Sequence, residues 1–201
     1  MASIREPAVA GTFYPGDATM LRQAVETCLA GVAETRGGIA APRAIIAPHA
    51  GYIYSGPIAA SAYVRLMPLR GTIRRVVLMG PSHRVGFHGL AVPSVEAFAT
   101  PLGEVTVETS GVAAALALPQ VQLLNSAHDQ EHCLEVHLPF LQLVLEDFSL
   151  VPLVVGDATP GEVAEVMELL WDGPETLLVV SSDLSHYQNY ETARRMDGAT
   201  S

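Results

Sequence analysis

The segment AIIAPHAGYIYSG, residues 44–56, combines a short apolar run with a histidine at the point where that run ends. The run Ala44–Ala47 has the length and apolar character of a buried strand. The proline before His49 keeps the chain extended, and Gly51 allows a sharp turn directly after it. The segment therefore predicts a strand that delivers a histidine to a turn, followed by a helix that begins at Pro57, capped by the preceding Ser-Gly pair.

Two later segments of the chain repeat this design. The strand predicted at Arg75–Met79 runs into His83, and the strand predicted at Thr176–Val180 runs into Asp183 and His186. Because the carboxyl ends of parallel strands meet at one edge of a sheet, we expect all three histidines at that edge. Ligands of such sheets bind in the crevice beyond it.

Strands alternate with helices along the chain. The apolar periodicity and capping residues predict helices at 18–33 with Asp17 as N-cap, 57–66, 110–118, 131–147 with a bend near Pro139, and 160–172. This alternation predicts an α/β fold with a central, largely parallel or mixed sheet flanked by helices. The strands are continuous apolar runs, as expected when helices cover both faces. A chain of 201 residues suits a single domain, residues 1–201.

Composition excludes several classes of protein. The net charge of −10 disfavours binding to nucleic acid, which depends on basic residues that neutralise phosphates. No apolar run approaches the length of a membrane span, and the N-terminus lacks the apolar core of a signal peptide. With only two cysteines there is no disulfide framework, so we expect a cytoplasmic protein. A mean hydropathy of +0.30 indicates a deeply covered sheet or the interface of a homo-oligomer.

Histidines and carboxylates also crowd the segment HDQEHCLEVH. Its members are His128, Asp129, Glu131, His132, Glu135 and His137. On a helix several of them share one face, but the spacing is not that of zinc proteases. Taken alone, the segment is best interpreted as the solvated start of a helix. We interpret His88 as an ordinary loop residue, and we expect Tyr52 and Tyr54 to wall the cleft beside the first strand.

The strand-end residues suit metal chemistry. Two histidines and one carboxylate with open coordination positions are typical of non-haem Fe(II) sites, and His49, His83 and Asp183 could supply that set. His186 and His132 could instead carry protons. The sequence has no Gly-x-Ser-x-Gly elbow, phosphate-binding loop or dinucleotide fingerprint, so nucleophilic and nucleotide-dependent chemistry is disfavoured.

The chain resembles the Memo-like family, whose bacterial and archaeal members are called AmmeMemoRadiSam system protein B. The resemblance covers nearly the whole chain. It is carried by REPAVAGTFYPGD (5–17), APHAGYIYSGPIAASAY (47–63), GPSHR (80–84), TPLG (100–103), EHCLEVHLPFLQ (131–142), VPLVVGD (151–157) and SSDLSHY (181–187). It implies a fold similar to class III extradiol dioxygenases, which are non-haem iron enzymes that cleave catechol rings.

The resemblance also implies roles for single residues. His49 and His83 match two metal ligands of the family, for Fe(II) or alternatively copper. Asp183 and His186 match further pocket residues and, with Glu131 and His132 of the same cleft, are the candidate catalytic residues. The prokaryotic system name implies association with a radical SAM protein and an AMMECR-type protein.

One departure from the family concerns its third metal ligand. That ligand is a cysteine in a C-terminal segment, and this chain ends at RRMDGATS, before the segment. Cys28 and Cys133, both expected in helices, do not match it. We therefore expect either a fragment of a longer protein or a C-terminally truncated Memo-like domain, with Asp183 or water completing a weaker metal site.

Two functions remain open from the sequence. The first is a metal-dependent redox or dioxygenase-like activity on a small molecule bound in the cleft. The second is a binding module that uses the same pocket to recognise a ligand, peptide or partner protein without turnover. The resemblance in fold to an enzyme class does not decide between them.

Overall fold

A computed structural model describes residues 3–32 and 41–201 of the chain. The strands, in chain order, are β1 (Ile4–Arg5), β2 (Ala44–Ala47), β3 (Arg75–Pro81), β4 (Leu90–Val92), β5 (Ala97–Thr100), β6 (Gly103–Thr106), β7 (Val121–Leu123), β8 (Ser149–Val155) and β9 (Thr176–Ser181). The helices are α1 (Ala18–Ala30), α2 (Tyr52–Tyr63), α3 (Thr109–Leu116), α4 (Ser126–Asp129), α5 (Leu138–Val144), α6 (Pro160–Leu170) and α7 (Tyr190–Thr200).

A mixed sheet in the order β2-β9-β3-β8-β4-β7 forms the centre of the described part of the molecule. Strands β2, β9, β3 and β8 run parallel, whereas β4 is antiparallel to β8 and parallel to β7. A small second sheet, β1-β5-β6, pairs the N-terminal strand with an antiparallel hairpin. The predicted α/β fold with a largely parallel or mixed sheet is confirmed.

Helices pack in two groups around the central sheet. Helices α1, α2 and α5 contact one another, and α3 contacts α6. Strands β3 and β8 are buried along most of their length, as predicted for continuous apolar runs covered on both faces. The same prediction was wrong for β2, which lies at the edge of the sheet and leaves Ala44 and Ile46 exposed. Among the residues that the structure describes, no helix has the length and apolar character needed to cross a bilayer.

The first helix follows the sequence closely. Asp17 is the predicted N-cap, and its side chain accepts a hydrogen bond from the backbone N–H of Met20. Helix α1 ends at Ala30, and the predicted end at Ala33 lies outside the described residues. Cys28 lies in this helix, as predicted, and is partly buried against the core.

Helix α2 begins earlier than predicted. It starts at Tyr52 rather than Pro57, with Gly51 as N-cap. The carbonyl of Gly51 accepts the first backbone bonds of the helix, and the hydroxyl of Ser55 donates to the carbonyl of Ala50, so Ser55 lies within the first turn. The prediction that Pro57 starts the helix was wrong because the backbone at the glycine already supplies the cap, and the proline is accommodated inside the helix.

The helix predicted at 131–147 is also different in the structure. Residues 131–134 are not helical, a 3₁₀ turn spans Glu135–His137, and only α5 is α-helical. Cys133, which was expected in a helix, therefore lies in a turn. The physical reason is burial: most side chains at the start of this segment point into the protein, and the carbonyl group of Glu131 accepts from Arg5 instead of from a helical N–H.

A buried ion pair holds this segment to the N-terminus of the chain. Arg5 Nη1 lies 2.6 Å from Glu135 Oε2, and both side chains are almost completely buried. The rest of the guanidinium donates to the carbonyls of His128 and Glu131. The Glu135 carboxylate also accepts hydrogen bonds from Ala8 N, Val9 N and the Tyr14 hydroxyl. Each nitrogen of the guanidinium and each oxygen of the carboxylate therefore has a hydrogen-bond partner.

We predict that Arg5→Met lowers the free energy of unfolding by about 3–5 kcal/mol, because it leaves the Glu135 carboxylate buried without its cation. Urea denaturation followed by circular dichroism measures the change. The matched control is Arg70→Met, which removes an ion pair with Glu146 whose side chains are both more than half exposed. That control should cost less than about 1 kcal/mol. Equal losses in the two variants would contradict this account of the buried pair.

Candidate metal centre

A cleft lies beyond the carboxyl ends of β2, β3 and β9. His49 follows β2 and His83 follows β3, and their ring centroids are 5.1 Å apart. The ring of His186, which follows β9, is 6.4 Å from that of His49. The prediction that parallel strands bring these three histidines to one edge is therefore confirmed. The cavity beside them has a volume of about 400 Å³, and its wall includes Leu184 and Tyr187.

His132 joins this group from the irregular segment between α4 and the 3₁₀ turn. Its ring centroid is 4.5 Å from that of His83 and 5.6 Å from that of His49. Two sets of ligand atoms within 4.8 Å of one another share His49: one with His83 and His132, the other with Asp183 and His186. The structure thus pairs Asp183 with His186 rather than with His83, the partner in the predicted set.

The backbone N–H and the Nδ1 atom of His49 both have hydrogen-bond partners, whereas its Nε2 atom has none. Its Nδ1 lies 2.6 Å from Ser181 Oγ, and its backbone N–H donates to Asp183 Oδ1. Its Nε2 is buried and has no hydrogen-bond partner, and the nearest charged atom is Asp183 Oδ2 at 3.8 Å. Burial lowers the pKa of His49 to about 4 although the charge of Asp183 opposes the shift. The ring is therefore neutral near pH 7, as a metal ligand requires.

Glu131 organises the inner part of the cleft. Its carboxylate accepts hydrogen bonds from His83 Nδ1 and from the backbone N–H groups of His83, His132 and Cys133. Burial alone would raise the pKa of Glu131, but these donors hold it below its usual range. The side chain is therefore an ionised acceptor whose oxygens are already occupied. It orients His83 and leaves the other ring nitrogen of that histidine facing away.

A third set of candidate ligands, His83, Glu131 and Cys133, is less suited to a metal. The Cys133 thiol donates to the carbonyl of Pro81. Burial, together with the charge of Glu131, raises the pKa of this thiol well above its usual value, which opposes formation of the thiolate that binds metals. With Glu131 engaged by several donors, this set has one free ligand atom at most.

The mouth of the cleft is formed by the turn after β9. His186 is 46% exposed on its side chain, and its Nδ1 contacts the carbonyl of Leu184. Leu184 and Tyr187 both have positive φ angles, 62° and 58°, which residues with side chains rarely adopt. Such strain is typical of functional turns, where the surrounding structure holds an otherwise unfavourable backbone. Tyr187 is fully exposed beside the opening.

Other expectations for the site have different outcomes. Tyr52 is buried in the core, where its hydroxyl donates to the carbonyl of Val136, and Tyr54 is exposed on α2, so the prediction that they wall the cleft was wrong. His88 is an exposed loop residue near Asp157, as predicted. The segment containing His128 and Glu135 is buried rather than solvated, because Arg5 and the N-terminal backbone cover it.

Two contacts of the site have no local signal in the sequence. Ser181 reaches His49 because β2 pairs with β9 in a register that places Ala47 opposite Ser181. Phe13 packs on the ring of His132, with centroids 4.8 Å apart. Both contacts join residues that are more than a hundred positions apart, so only the strand pairing or the packing of the N-terminal segment discloses them.

The family-model match and the similar curated proteins point to the same family. The family model described as Memo-like protein matches residues 5–200. MEMO1 family proteins of Aquifex aeolicus, Thermotoga neapolitana and Methanopyrus kandleri are 40%, 37% and 35% identical to the chain. Each alignment covers 96% of this chain and 72–74% of the relative. The mixed α/β fold agrees with the relation of that family to the extradiol dioxygenase fold.

We predict that the protein loses stability in acid through its buried histidines. Burial lowers the pKa of His128 from 6.5 to about 4, so the unfolded chain takes up a proton that the folded protein excludes. The stabilisation is complete above pH 6.5 and is lost as the pH falls towards 4, by up to about 3 kcal/mol for this residue. Urea unfolding at a series of pH values measures the loss.

The control for this prediction is His128→Gln, whose amide can still donate to the carbonyl of Ala91, the partner of His128 Nε2. The slope of stability against pH should become smaller in that variant. His88→Gln, at an exposed position, should leave the slope unchanged. Identical slopes for the wild type and His128→Gln would show that this histidine is not the source of the acid sensitivity.

Proposed function

The chain belongs to the Memo-like family, and we propose that it binds a divalent transition metal in the cleft at the end of β2, β3 and β9. The observation that carries the proposal is the buried Nε2 of His49, which has no partner and faces the carboxylate of Asp183 at 3.8 Å. A cation bound to this buried acceptor nitrogen would give it the partner that it lacks, and the nearby Asp183 carboxylate would add negative charge beside the cation. Fe(II) is the first metal to test and copper is the alternative.

The proposed ligands are His49 and His83, with His132 as the third member of the inner set. Nitrogen donors of this type suit iron, copper and zinc rather than magnesium or calcium. His83 is oriented by Glu131 through its Nδ1, which leaves Nε2 as the ligand atom. Asp183 and His186 lie on the side of His49 that faces the mouth, where a substrate enters.

We propose further that the cleft supports a redox or dioxygenase-like reaction on a small molecule. A bound Fe(II) ion would supply open coordination positions and electrons for oxygen chemistry. His186, half exposed at the mouth, is placed to exchange protons between solvent and substrate. Leu184 and Tyr187 supply apolar surface for a small organic substrate. We assign this activity to the cytoplasm, where Cys28 and Cys133 stay reduced.

A second candidate is a binding module without turnover. The wide, mostly apolar opening with the exposed ring of Tyr187 favours this function, because it can accept a peptide side chain as readily as a free substrate. In this case the metal would hold or organise the ligand. The association with radical SAM and AMMECR-type proteins remains a prediction from the family resemblance.

We predict that purified protein reconstituted anaerobically with Fe(II) retains about one metal ion per chain after desalting. The double variant His49→Ala/His83→Ala should retain less than about a tenth of that amount, because it removes two ligands of the set. Mass spectrometry of the metal content is the measurement. His88→Ala is the matched control, since it removes an exposed histidine and should bind as the wild type does. Unchanged metal content in the double variant would exclude the proposed site.

Two further variants in the same assay distinguish His132 from Asp183 as the third ligand. His132→Ala removes the imidazole of the inner set, and Asp183→Asn removes only the charge at the mouth. The proposed set requires the larger loss of metal for His132→Ala. A larger loss for Asp183→Asn would move the metal to the set formed by His49, Asp183 and His186.

The enzymatic function is tested by oxygen uptake. We predict that Fe(II)-loaded protein consumes oxygen when catechols are added, and that His186→Ala retains the metal but slows the uptake about 10²-fold, the usual contribution of a general acid or base. An oxygen electrode and the metal content of the same sample give both values. Full metal occupancy without oxygen uptake across the catechol panel would favour the binding module.

A further inference from the structure

We infer that Ser181 is a positioning residue that fixes the ring proton of His49 on Nδ1 and so keeps its Nε2 lone pair directed into the cleft. The consequence for metal affinity rests on the proposed function, but the position of the proton does not. Ser181 is the last residue of β9 and lies opposite Ala47 in the pairing with β2. It touches neither the proposed metal nor the cavity that contains His186, so it acts only through the histidine.

The argument starts from the single proton of the serine hydroxyl. Ser181 Oγ lies 2.7 Å from the carbonyl oxygen of Cys133 and 2.6 Å from His49 Nδ1. A carbonyl oxygen can only accept, so the hydroxyl proton is donated to Cys133. The same oxygen can therefore only accept from the histidine. A buried Ser181 without other partners thus requires that His49 Nδ1 carries the proton.

The neutral ring then has its lone pair on Nε2. This atom is buried, has no hydrogen-bond donor near it, and faces Asp183 Oδ2 at 3.8 Å. The other oxygen of Asp183 accepts the backbone N–H of His49, so the carboxylate is fixed in this direction. Without Ser181, the negative charge of Asp183 at 3.8 Å would favour a proton on Nε2, and that proton would occupy the nitrogen needed for a metal.

At His83, the ring proton is also held on Nδ1, but by a different acceptor. Its Nδ1 lies 2.9 Å from Glu131, an acceptor that carries no proton. At His49 the acceptor is a hydroxyl, and Ser181 is closely packed on the side facing Gly80, where an added Cβ would lie 3.0 Å from the Cβ of Ser181. The Ser181 hydroxyl donates its proton to the carbonyl of Cys133, so its oxygen acts as an acceptor for His49 Nδ1. It orients the His49 ring as Glu131 orients His83, without a second buried charge.

The test is the tautomer of His49 in metal-free protein. Two-bond correlation of ring protons with ¹⁵N in histidine-labelled protein at about pH 8 distinguishes Nδ1–H from Nε2–H. We expect Nδ1–H in the wild type and a shift towards Nε2–H in Ser181→Ala. Ser181→Cys has a side chain of similar size that forms only weak hydrogen bonds, and it should shift the His49 tautomer in the same direction. Ser181→Thr keeps the hydroxyl and should give the wild-type tautomer. Assignment uses the loss of one signal in His49→Ala.

Anaerobic titration with Fe(II) alone gives the second readout. Ser181→Ala and Ser181→Cys should bind about 10–100-fold more weakly than the wild type, and Ser181→Thr should recover most of the loss. An Nε2–H signal for His49 in the wild type, or an unchanged tautomer in both weakening variants, would overturn the inference. If the tautomer changes as expected but the wild type binds no Fe(II), the role of Ser181 stands and the proposed function fails.

Discussion

The buried pair of Arg5 and Glu135 is the contact on which the inner half of the cleft depends. It holds the N-terminal segment against an irregular stretch of chain. Two carbonyl groups in and before that stretch, those of His128 and Glu131, accept their hydrogen bonds from Arg5. That stretch carries Glu131 and His132, so a local helix there would move both side chains away from His83. Burying two charges is costly, and the pair is tolerable because each atom of it meets a partner. Much of the geometry at the strand ends thus originates in a contact far from them.

The cleft joins two kinds of electrostatic environment. At its inner wall, the ring of His83 is hydrogen-bonded to the Glu131 carboxylate and the ring of His49 to the Ser181 hydroxyl. At its mouth lie the carboxylate of Asp183 and the half-exposed His186. Burial keeps the pKa values of His49 and His132 low, so these rings remain acceptors over the physiological range. Buried neutral imidazoles and a half-exposed histidine are therefore separated by depth within one pocket.

The sequence is informative where the structure is local. Apolar runs followed by turn residues identified three strands and the histidines after them, and parallel pairing was enough to bring those histidines together. The start of α2 was misplaced because proline is a strong signal, while a cap made by backbone groups around Gly51 has no signal. The burial of the segment around His132 depends on Arg5, a partner more than 120 positions away, which no periodicity in that segment could disclose.

Strand order sets when the cleft can assemble. Strand β9 lies between β2 and β3, although it begins at Thr176, well over a hundred positions after the end of β2 at Ala47. Among the strands that the structure describes, β2 pairs only with β9, so while the chain leaves the ribosome this pairing must wait until residue 181 has emerged. Until then His49 has neither its serine nor its aspartate. Non-local parallel pairing of this kind folds slowly. The residues proposed to hold a metal therefore come together only when the central sheet has closed, so a site of this geometry would require the completed fold.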